Sequence, residues 1–276
     1  MPNRPKILNI AHRGARSLAP ENTLAAARKA LQIGADLWEC DVALTADGEP
    51  VILHDDNLRR TSNASSVYPN RKPWKVQAFT VDELKKLDFG SWFLSTDPFK
   101  QIRTGQIQPV ELQKFVGESI PTLREALVFT KDNNWQINLE IKDLRGTPGD
   151  KIVIQKIVNI ISEMVMEEHV MLSSFNHVYI THAKKLLPTL RTGALVEWLD
   201  LNPLARLRQT GAQSYNPGVR LANGRTVRAI REQGYDVFVW TVNKETSMRK
   251  LIKVGVTGII TDFPQVLKTV LDNYSH

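Results

Sequence analysis

The chain has 276 residues, and its 36 Lys and Arg against 29 Asp and Glu give a formal net charge of +7. Its content of 42% hydrophobic and 24% charged residues is ordinary for a globular protein and excludes a disordered or fibrous chain, while apolar runs of the ~18 residues that a membrane helix needs are absent from the sequence. The single cysteine, Cys40, excludes an internal disulfide and a four-cysteine zinc site.

Short β-rich apolar segments alternate with helix-like segments from one end of the chain to the other. The predicted strands are 8–11, 37–43, 136–141, 170–173, 191–195, 213–215, 236–240 and 258–261. The predicted helices are 24–33, 122–131, 151–167, 176–186, 203–209, 225–233, 245–254 and 265–274. Eight strand–helix units predict an α/β fold of the (β/α)8 TIM-barrel type, and an open doubly wound sheet is the alternative.

The segment 55–118 interrupts this alternation, because it separates the second strand from its helix by far more than the usual ~2–6 residues. It contains a predicted helix over 81–87 and several aromatic residues. These aromatic residues are Trp74, Phe79, Phe89, Trp92 and Phe93. We expect one domain over 1–276, with 55–118 forming a lid or cap over one end of the barrel.

Three carboxylates and a lysine lie on two of the predicted strands. Side chains alternate along a strand, so Glu39 and Asp41 share one face, and Glu140 and Lys142 share another. Both pairs lie near the C-terminal ends of their strands, where barrel enzymes place their sites. Carboxylates that converge there repel unless a cation joins them, and oxygen ligands favour Mg²⁺ or Ca²⁺. A buried salt-bridge network that fills the barrel is the alternative.

Two histidines follow apolar strand segments. His12 directly follows the first strand, and His54 ends the apolar run 51–53. Such a pair can supply a general base and a general acid near neutral pH. Arg13 adds a planar donor group suited to phosphate. Cys40, between two inward-facing carboxylates, is expected to point outward as a packed thiol.

The stretch 201–231 is rich in arginine and contains no Asp or Glu. Its arginines are Arg206, Arg208, Arg220, Arg225, Arg228 and Arg231. Arg225, Arg228 and Arg231 recur every third residue and are expected to share one helix face, and the cluster is either a solvated surface or one that steers anionic substrates. We expect no nucleic-acid partner, because the basic residues are not interleaved with aromatic ones and no basic tail is present.

Motifs for dinucleotide binding, P-loop phosphoryl transfer, serine hydrolysis and metalloprotease chemistry are absent from the sequence. The first residues run into the first strand without an apolar signal region, so we expect a cytoplasmic protein. The oligomeric state is left open by the sequence, since a helix-covered barrel has several faces that could pair.

A series of short motifs runs in order along almost the whole chain. The N-terminal motifs are His12-Arg13-Gly14, Pro20-Glu21-Asn22-Thr23, Gly34-Ala35-Asp36, Glu39-x-Asp41-Val42, Thr45-x-Asp47-Gly48 and His54-Asp55. The later motifs are Ile120-Pro121-Thr122-Leu123, Glu140-x-Lys142, Ser173-Ser174-Phe175, Trp240-Thr241-Val242-Asn243 and Gly258-Ile259-Ile260-Thr261-Asp262-Phe263-Pro264. In this order the motifs resemble those of the glycerophosphodiester phosphodiesterases.

The resemblance implies a TIM-barrel enzyme that cleaves deacylated phospholipids, such as glycerophosphocholine and glycerophosphoethanolamine, into sn-glycerol 3-phosphate and an alcohol. It implies that His12 and His54 are the acid/base pair; we favour His12 as the base and His54 as the acid, and the reverse assignment is the alternative. The metal ligands that it implies are Glu39, Asp41 and Glu140. The substrate contacts that it implies are Arg13, Lys142 and Trp240, with the segment 55–118 as the cap over the substrate pocket.

Two other functions are compatible with the same residues. A phosphodiesterase acting on lysophospholipids would need an apolar groove at the barrel mouth, which Trp92 and Phe93 in the cap could line. A catalytically silent barrel that binds a phosphodiester would be expected to have lost a histidine or a carboxylate of the site, and all of them are present. Direct attack by water and attack by the glycerol hydroxyl through a cyclic phosphate are both compatible with the motifs, as are Mg²⁺ and Ca²⁺.

Overall fold

The structure, a computed structural model, describes residues 6–275. Residues 1–5, part of the segment in which no signal region was found, lie outside the described residues. The strands are β1 (Leu8–Ala11), β2 (Leu37–Leu44), β3 (Pro50–Ile52), β4 (Ile137–Ile141), β5 (Val170–Ser174), β6 (Arg191–Val196), β7 (Ser214–Pro217), β8 (Asp236–Val239) and β9 (Gly258–Thr261). The α-helices are α1 (Leu24–Ile33), α2 (Ala64–Val67), α3 (Val81–Leu84), α4 (Ser91–Thr96), α5 (Pro109–Leu112), α6 (Leu123–Asp132), α7 (Val153–Glu163), α8 (His177–Leu186), α9 (Pro203–Thr210), α10 (Gly224–Glu232), α11 (Glu245–Val254) and α12 (Pro264–Ser275).

Eight of these strands form one closed parallel barrel. Strand β1 pairs with β2 on one side and with β9 on the other, and the remaining parallel strands follow in the order β2, β4, β5, β6, β7, β8 and β9. The double pairing of β1 closes the ring and excludes the open sheet. The predicted TIM barrel is therefore confirmed.

Besides the short helices α2, α4 and α5, which were not predicted, three features differ from the sequence prediction. Strand β3, which was not predicted, pairs antiparallel with β2 and prolongs it to Leu44, beyond the ring. The predicted helix 151–167 is shorter, because Pro148–Lys151 forms a 3₁₀ turn before α7 and the helix ends at Glu163. The predicted helix 81–87 is the single turn α3.

Strand β2 separates the two cores of the barrel. Leu37 packs inside the N-terminal end of the barrel with Phe238, whereas Trp38 and Cys40 pack outward against the surrounding helices. Because side chains alternate along a strand, Glu39 and Asp41 face the inside of the barrel, like Leu37. Burial raises the pKa of the Cys40 thiol, as expected for a packed residue away from the site.

The segment between β3 and α6 is built from short helices and packs on one side of the barrel mouth. Phe79 and Leu84 lie in its own apolar cluster, whereas Phe93 packs with Leu18 and Ala26 of the β1–α1 region. This second cluster attaches the segment to the loop that follows β1. Within the described part of the chain, no helix has both the length and the apolar character to cross a membrane.

Candidate active site

The three predicted carboxylates meet inside the barrel. The register of β2 and β4 pairs Asp41 with Glu140, and oxygens of Glu39, Asp41 and Glu140 lie within 4.8 Å of one another. All three residues are at most 9% exposed. Among the described residues, Glu39 Oε1 has no hydrogen-bond partner. A buried oxygen without a donor, beside two further carboxylates, fits a hard divalent cation.

The charges in this cluster are unevenly balanced. Burial raises the pKa of Glu39 well above its usual range, and the charges of Asp41 and Glu140 raise it further. Burial would also raise the pKa of Asp41, but the nearby Lys142 and Arg13 lower it overall. A cation beside Glu39 would therefore complete the neutralisation that these two basic side chains begin.

Lys142 joins two of the carboxylates. Its Nζ lies 2.6 Å from Asp41 Oδ1 and also donates to Glu140. Burial opposes the charge of Lys142, yet Asp41 and Glu140 keep its pKa above the usual value. In the sequence analysis, a buried salt-bridge network was the alternative to a metal site. Such a network, Asp41–Lys142–Glu140, is present and shares two carboxylates with the cluster that could bind a cation. Asn22 supports it by donating from Nδ2 to Asp41 Oδ2 at 2.9 Å.

A tight turn after β1 places Arg13 against the same carboxylates. Its backbone N–H donates to Glu39 Oε2 at 2.8 Å, and its Nε lies 3.2 Å from Asp41 Oδ2. Arg13 and Gly14 both have positive φ, of 54° and 76°. A Cβ atom at Gly14 would lie 2.6 Å from the Ala26 backbone, so only glycine allows α1 to approach the turn this closely.

Glu21 holds three arginines around the turn. It accepts hydrogen bonds from Arg13 Nη1 at 2.8 Å, from Arg16 Nη2 at 2.7 Å and from both terminal nitrogens of Arg60 at 2.6 and 3.1 Å. Burial opposes the ionisation of Glu21, but the arginines outweigh it and bring its pKa to about 2. Since Arg60 belongs to the segment 55–118, Glu21 also ties that segment to the barrel.

We expect Glu21→Gln to lower the free energy of unfolding by about 3 kcal/mol at neutral pH, because it removes the buried carboxylate that Arg13, Arg16 and Arg60 share. The pKa of Glu21 in the folded protein lies below the ordinary glutamate value of 4.5, so this contribution to stability is complete above pH 4.5 and is lost as pH falls toward 2. Urea unfolding at several pH values should show the difference from wild type shrinking below about pH 5. Glu163→Gln, which removes an exposed pair with Arg124, should cost less than about 1 kcal/mol.

His12 is oriented by a carboxylate that directly follows the last strand of the barrel. Its Nδ1 lies 2.6 Å from Asp262 Oδ1, and its Nε2 lies 4.0 Å from Glu39 Oε2. Asn243 fixes Asp262 by donating to Oδ2 at 2.6 Å. Burial lowers the pKa of His12, and Asp262 offsets part of this effect. A neutral ring that donates from Nδ1 presents the lone pair of Nε2 toward the carboxylate cluster.

His54 reaches the same mouth from the loop that follows β3. The backbone N–H of Leu53 donates to Asp41 O at 2.9 Å, which holds this loop beside β2. His54 Nδ1 lies 2.7 Å from Asp55 Oδ1, and Arg60 Nε donates to the other Asp55 oxygen at 2.7 Å. The His54 side chain is 33% exposed, so it is the more accessible of the two histidines.

Trp240 lies at the opposite side of the rim, directly after β8. Its Nε1 donates to Asn216 O at 2.8 Å, and its ring meets Phe175 edge to face with centroids 5.3 Å apart. The apolar groove that a lysophospholipid substrate would need is not lined by Phe93, which is 1% exposed and packs in the cluster that joins the segment 55–118 to the loop after β1. Trp92 is only partly exposed and lies 5.8 Å from the guanidinium carbon of Arg60.

The structure thus brings all eight residues predicted from the sequence to the C-terminal end of the barrel. It adds partners that the sequence analysis gave no role. These partners are Arg16, Glu21, Asn22, Asp55, Arg60, Asn243 and Asp262. Five of these seven residues belong to the motifs quoted above, so the motifs were the sequence signal that could have identified them. Arg16 and Arg60 lie outside the motifs and had no such signal.

The family of the chain follows from comparison with known proteins. Residues 12–266 match the model of the glycerophosphoryl diester phosphodiesterase family. The chain belongs to this family. The resemblance seen in the motifs is confirmed, and so is the expected class of enzyme, a phosphodiesterase.

Relatives of known name match the chain over nearly its full length. A glycerophosphodiester phosphodiesterase of Caldanaerobacter subterraneus is 36% identical over 95% of this chain and 96% of that protein. A crystal structure of a putative glycerophosphoryl diester phosphodiesterase from Silicibacter pomeroyi has a TM-score of 0.82 and 25% identity, covering 100% of this chain and 95% of that one.

A second similar structure contains a bound ligand. The structure of an Oleispira antarctica phosphodiesterase is a complex with the product sn-glycerol-3-phosphate. It is 29% identical to this chain, with a TM-score of 0.77, and the match covers 98% of this chain and 97% of that one. The glycerophosphoryl diester phosphodiesterase barrel of this chain therefore has a counterpart with a glycerol phosphate bound.

Proposed function

We propose that the protein hydrolyses glycerophosphodiesters, such as glycerophosphocholine and glycerophosphoethanolamine, to sn-glycerol 3-phosphate and an alcohol, acting as one domain with 55–118 as its cap. The observation that carries the proposal is the convergence of His12, Arg13 and the three buried carboxylates at the barrel mouth. The product bound by the Oleispira antarctica phosphodiesterase supports the choice of substrate.

The histidines are proposed to transfer the protons of an in-line displacement. His12 accepts the proton of the attacking hydroxyl at Nε2, because Asp262 engages Nδ1 and burial favours the neutral ring. His54 gives a proton to the leaving alkoxide from Nε2, since its Nδ1 is held by Asp55. Each such group is worth on the order of 10²–10⁴-fold in rate.

The basic side chains are proposed to hold the phosphate. Arg13 would use Nη2, because Nη1 and Nε face Glu21 and Asp41. Lys142 adds positive charge on the far side of the carboxylates, and Trp240 offers an apolar face to the glycerol or the alcohol.

Glu39, Asp41 and Glu140 are proposed to hold one divalent cation, Mg²⁺ or Ca²⁺. Such a cation supplies charge neutralisation for the phosphate oxygens in the transition state. The fit rests on the oxygen-only ligand set and on the buried Glu39 oxygen described above. The aligned backbone N–H of Arg13 orients Glu39 for this purpose.

The test is release of glycerol 3-phosphate by metal-stripped protein to which Mg²⁺ or Ca²⁺ is added back. Glycerophosphocholine and glycerophosphoethanolamine are compared with a lysophospholipid. Cation-dependent release from the first two supports the proposal. Turnover of the lysophospholipid alone would favour the lysophospholipase alternative, and folded protein without any turnover would favour the silent phosphodiester-binding barrel.

Asp262 is proposed as the positioning residue of His12. We expect Asp262→Asn to lower kcat about 10- to 100-fold with little change in KM, because the ring loses its fixed tautomer and orientation. Asp262→Glu should restore part of the loss. A purely structural role would instead lower the melting temperature and leave the kcat of the folded fraction unchanged.

A further inference from the structure

Three large apolar side chains on one loop of the barrel rim are exposed to solvent. In the loop between β6 and α9, Trp198, Leu199 and Leu201 are 79%, 77% and 89% exposed. Because the barrel strands are parallel, this loop leaves the barrel at the end that carries the carboxylate cluster. A surface that meets only water seldom keeps a tryptophan and two leucines together.

The loop is anchored from beneath by polar groups. The Asp200 side chain is 5% exposed and accepts from Arg206 Nε at 2.5 Å. Arg206 Nη1 lies 2.8 Å from His177 Nδ1, and His177 Nε2 lies 2.9 Å from Leu195 O. Asn202 caps α9. The aspartate in the middle of the loop thus points inward, and its apolar neighbours are held outward.

The loop is continuous with the mouth of the site. Where it begins, the N–H of Gly218 donates to Val196 O at 2.9 Å, and the next residue, Val219, donates to Trp240 O at 2.6 Å. Trp240 packs against Phe175, which is 40% exposed. Exposed or partly exposed apolar side chains thus follow each of the consecutive strands β5 to β8 at this end of the barrel, and we refer to them together as the apolar band.

Positive charge flanks this band. Arg220, Arg225 and Arg228 are exposed on the neighbouring β7–α10 connection and on α10, and residues 201–231 contain no acid. One exposed carboxylate, Glu197, precedes the loop. Tryptophan and leucine side chains beside arginines are the combination that binds the boundary between lipid headgroups and acyl chains.

We propose that this rim, residues 198–201 with Val219 and Arg220, docks on an anionic phospholipid surface. The apolar side chains enter the headgroup region, the arginines meet the lipid phosphates, and the barrel mouth faces the membrane. The proposal concerns binding, so it stands or falls separately from the identity of the substrate.

The test is cosedimentation of the full chain with vesicles of phosphatidylglycerol and phosphatidylcholine in equal parts, compared with phosphatidylcholine alone. We expect binding to the anionic vesicles that weakens with salt, and a partition coefficient at least about tenfold lower for Trp198→Ser/Leu201→Ser. Arg220→Gln/Arg225→Gln should reduce both the binding and its salt dependence. The matched control is Val165→Ser, since Val165 is 73% exposed before β5, at the opposite end of the barrel.

Several results would overturn the proposal. They are absence of binding by the wild type, equal binding by the Trp198→Ser/Leu201→Ser variant, and equal binding to pure phosphatidylcholine. A wild type that is dimeric in sedimentation velocity, with a monomeric double variant and no vesicle binding, would assign the band to contacts between copies of the chain. Unchanged circular dichroism and unfolding transitions exclude misfolding as the cause of lost binding, whatever the outcome of the hydrolysis assay.

Discussion

Replacing His12 by asparagine is expected to lower kcat by about 10²–10⁴-fold, the range that a positioned general base contributes. Asparagine can still donate to Asp262, so the packing beneath the ring is retained while the proton acceptor facing Glu39 is lost. The measurement is kcat and KM for glycerophosphocholine at saturating cation. KM should change little, because the proposed role of His12 is to accept the proton of the nucleophile and not to bind the substrate.

The control for this change is His182→Asn, a partly buried histidine on α8, which should leave kcat within about twofold of wild type. Added cation should raise the free energy of unfolding of the His12 variant as much as that of the wild type. An equal gain shows that the variant still binds the cation and has lost only the base. If His12→Asn kept more than about a tenth of the wild-type rate, His12 would not be the base.

Replacing Glu39 by glutamine is expected to abolish both turnover and cation binding. Wild-type protein should gain about 2.7 kcal/mol in free energy of unfolding at a cation concentration of 100 times Kd, and the variant should gain almost none. Without cation, the free energy of unfolding of the variant should be at least as high as that of the wild type. The reason is that the variant carries one carboxylate fewer beside Asp41 and Glu140. Urea unfolding with and without Mg²⁺ or Ca²⁺ measures both effects.

Glu168→Gln, an exposed glutamate before β5 at the other end of the barrel, is the matched control and should keep the full gain. An undiminished gain in Glu39→Gln would place the cation elsewhere. A wild type that gains nothing from either cation would leave the Asp41–Lys142–Glu140 ion network as the whole role of the cluster.

The barrel and its carboxylates were predictable because both depend on period-two alternation. Eight apolar segments of strand length, each followed by a helix, predict the ring, although the pairing of β1 with β9 was needed to exclude an open sheet, and the alternation along β2 places Glu39 and Asp41 on its inner side. The contact between His12 and Asp262 could also have been predicted from the sequence. Once the ring closes, β1 lies beside β9 with Ala11 level with Thr261, so the residues that follow them must be neighbours.

The details of the segment 55–118 were beyond such reasoning. Its helices have four to six residues, too few for a periodic signal, and they are held by contacts with the rest of the fold. The bond between Arg60 and Glu21 spans 39 positions and joins a loop to a turn. Neither residue lies on a strand or helix whose geometry would have brought it to the other.

That hydrogen bond makes the proposed cap, residues 55–118, and the turn after β1 structurally dependent on each other. An engineer who exchanged 55–118 for the cap of another barrel, in search of a different substrate, would remove Arg60 from a buried Glu21 that also holds Arg13 and Arg16. The transplanted segment would have to supply an arginine at the same place, or the turn that carries Arg13 would lose part of its support. Substrate range in this barrel is thus expected to change by substitution within the cap more readily than by replacement of the cap.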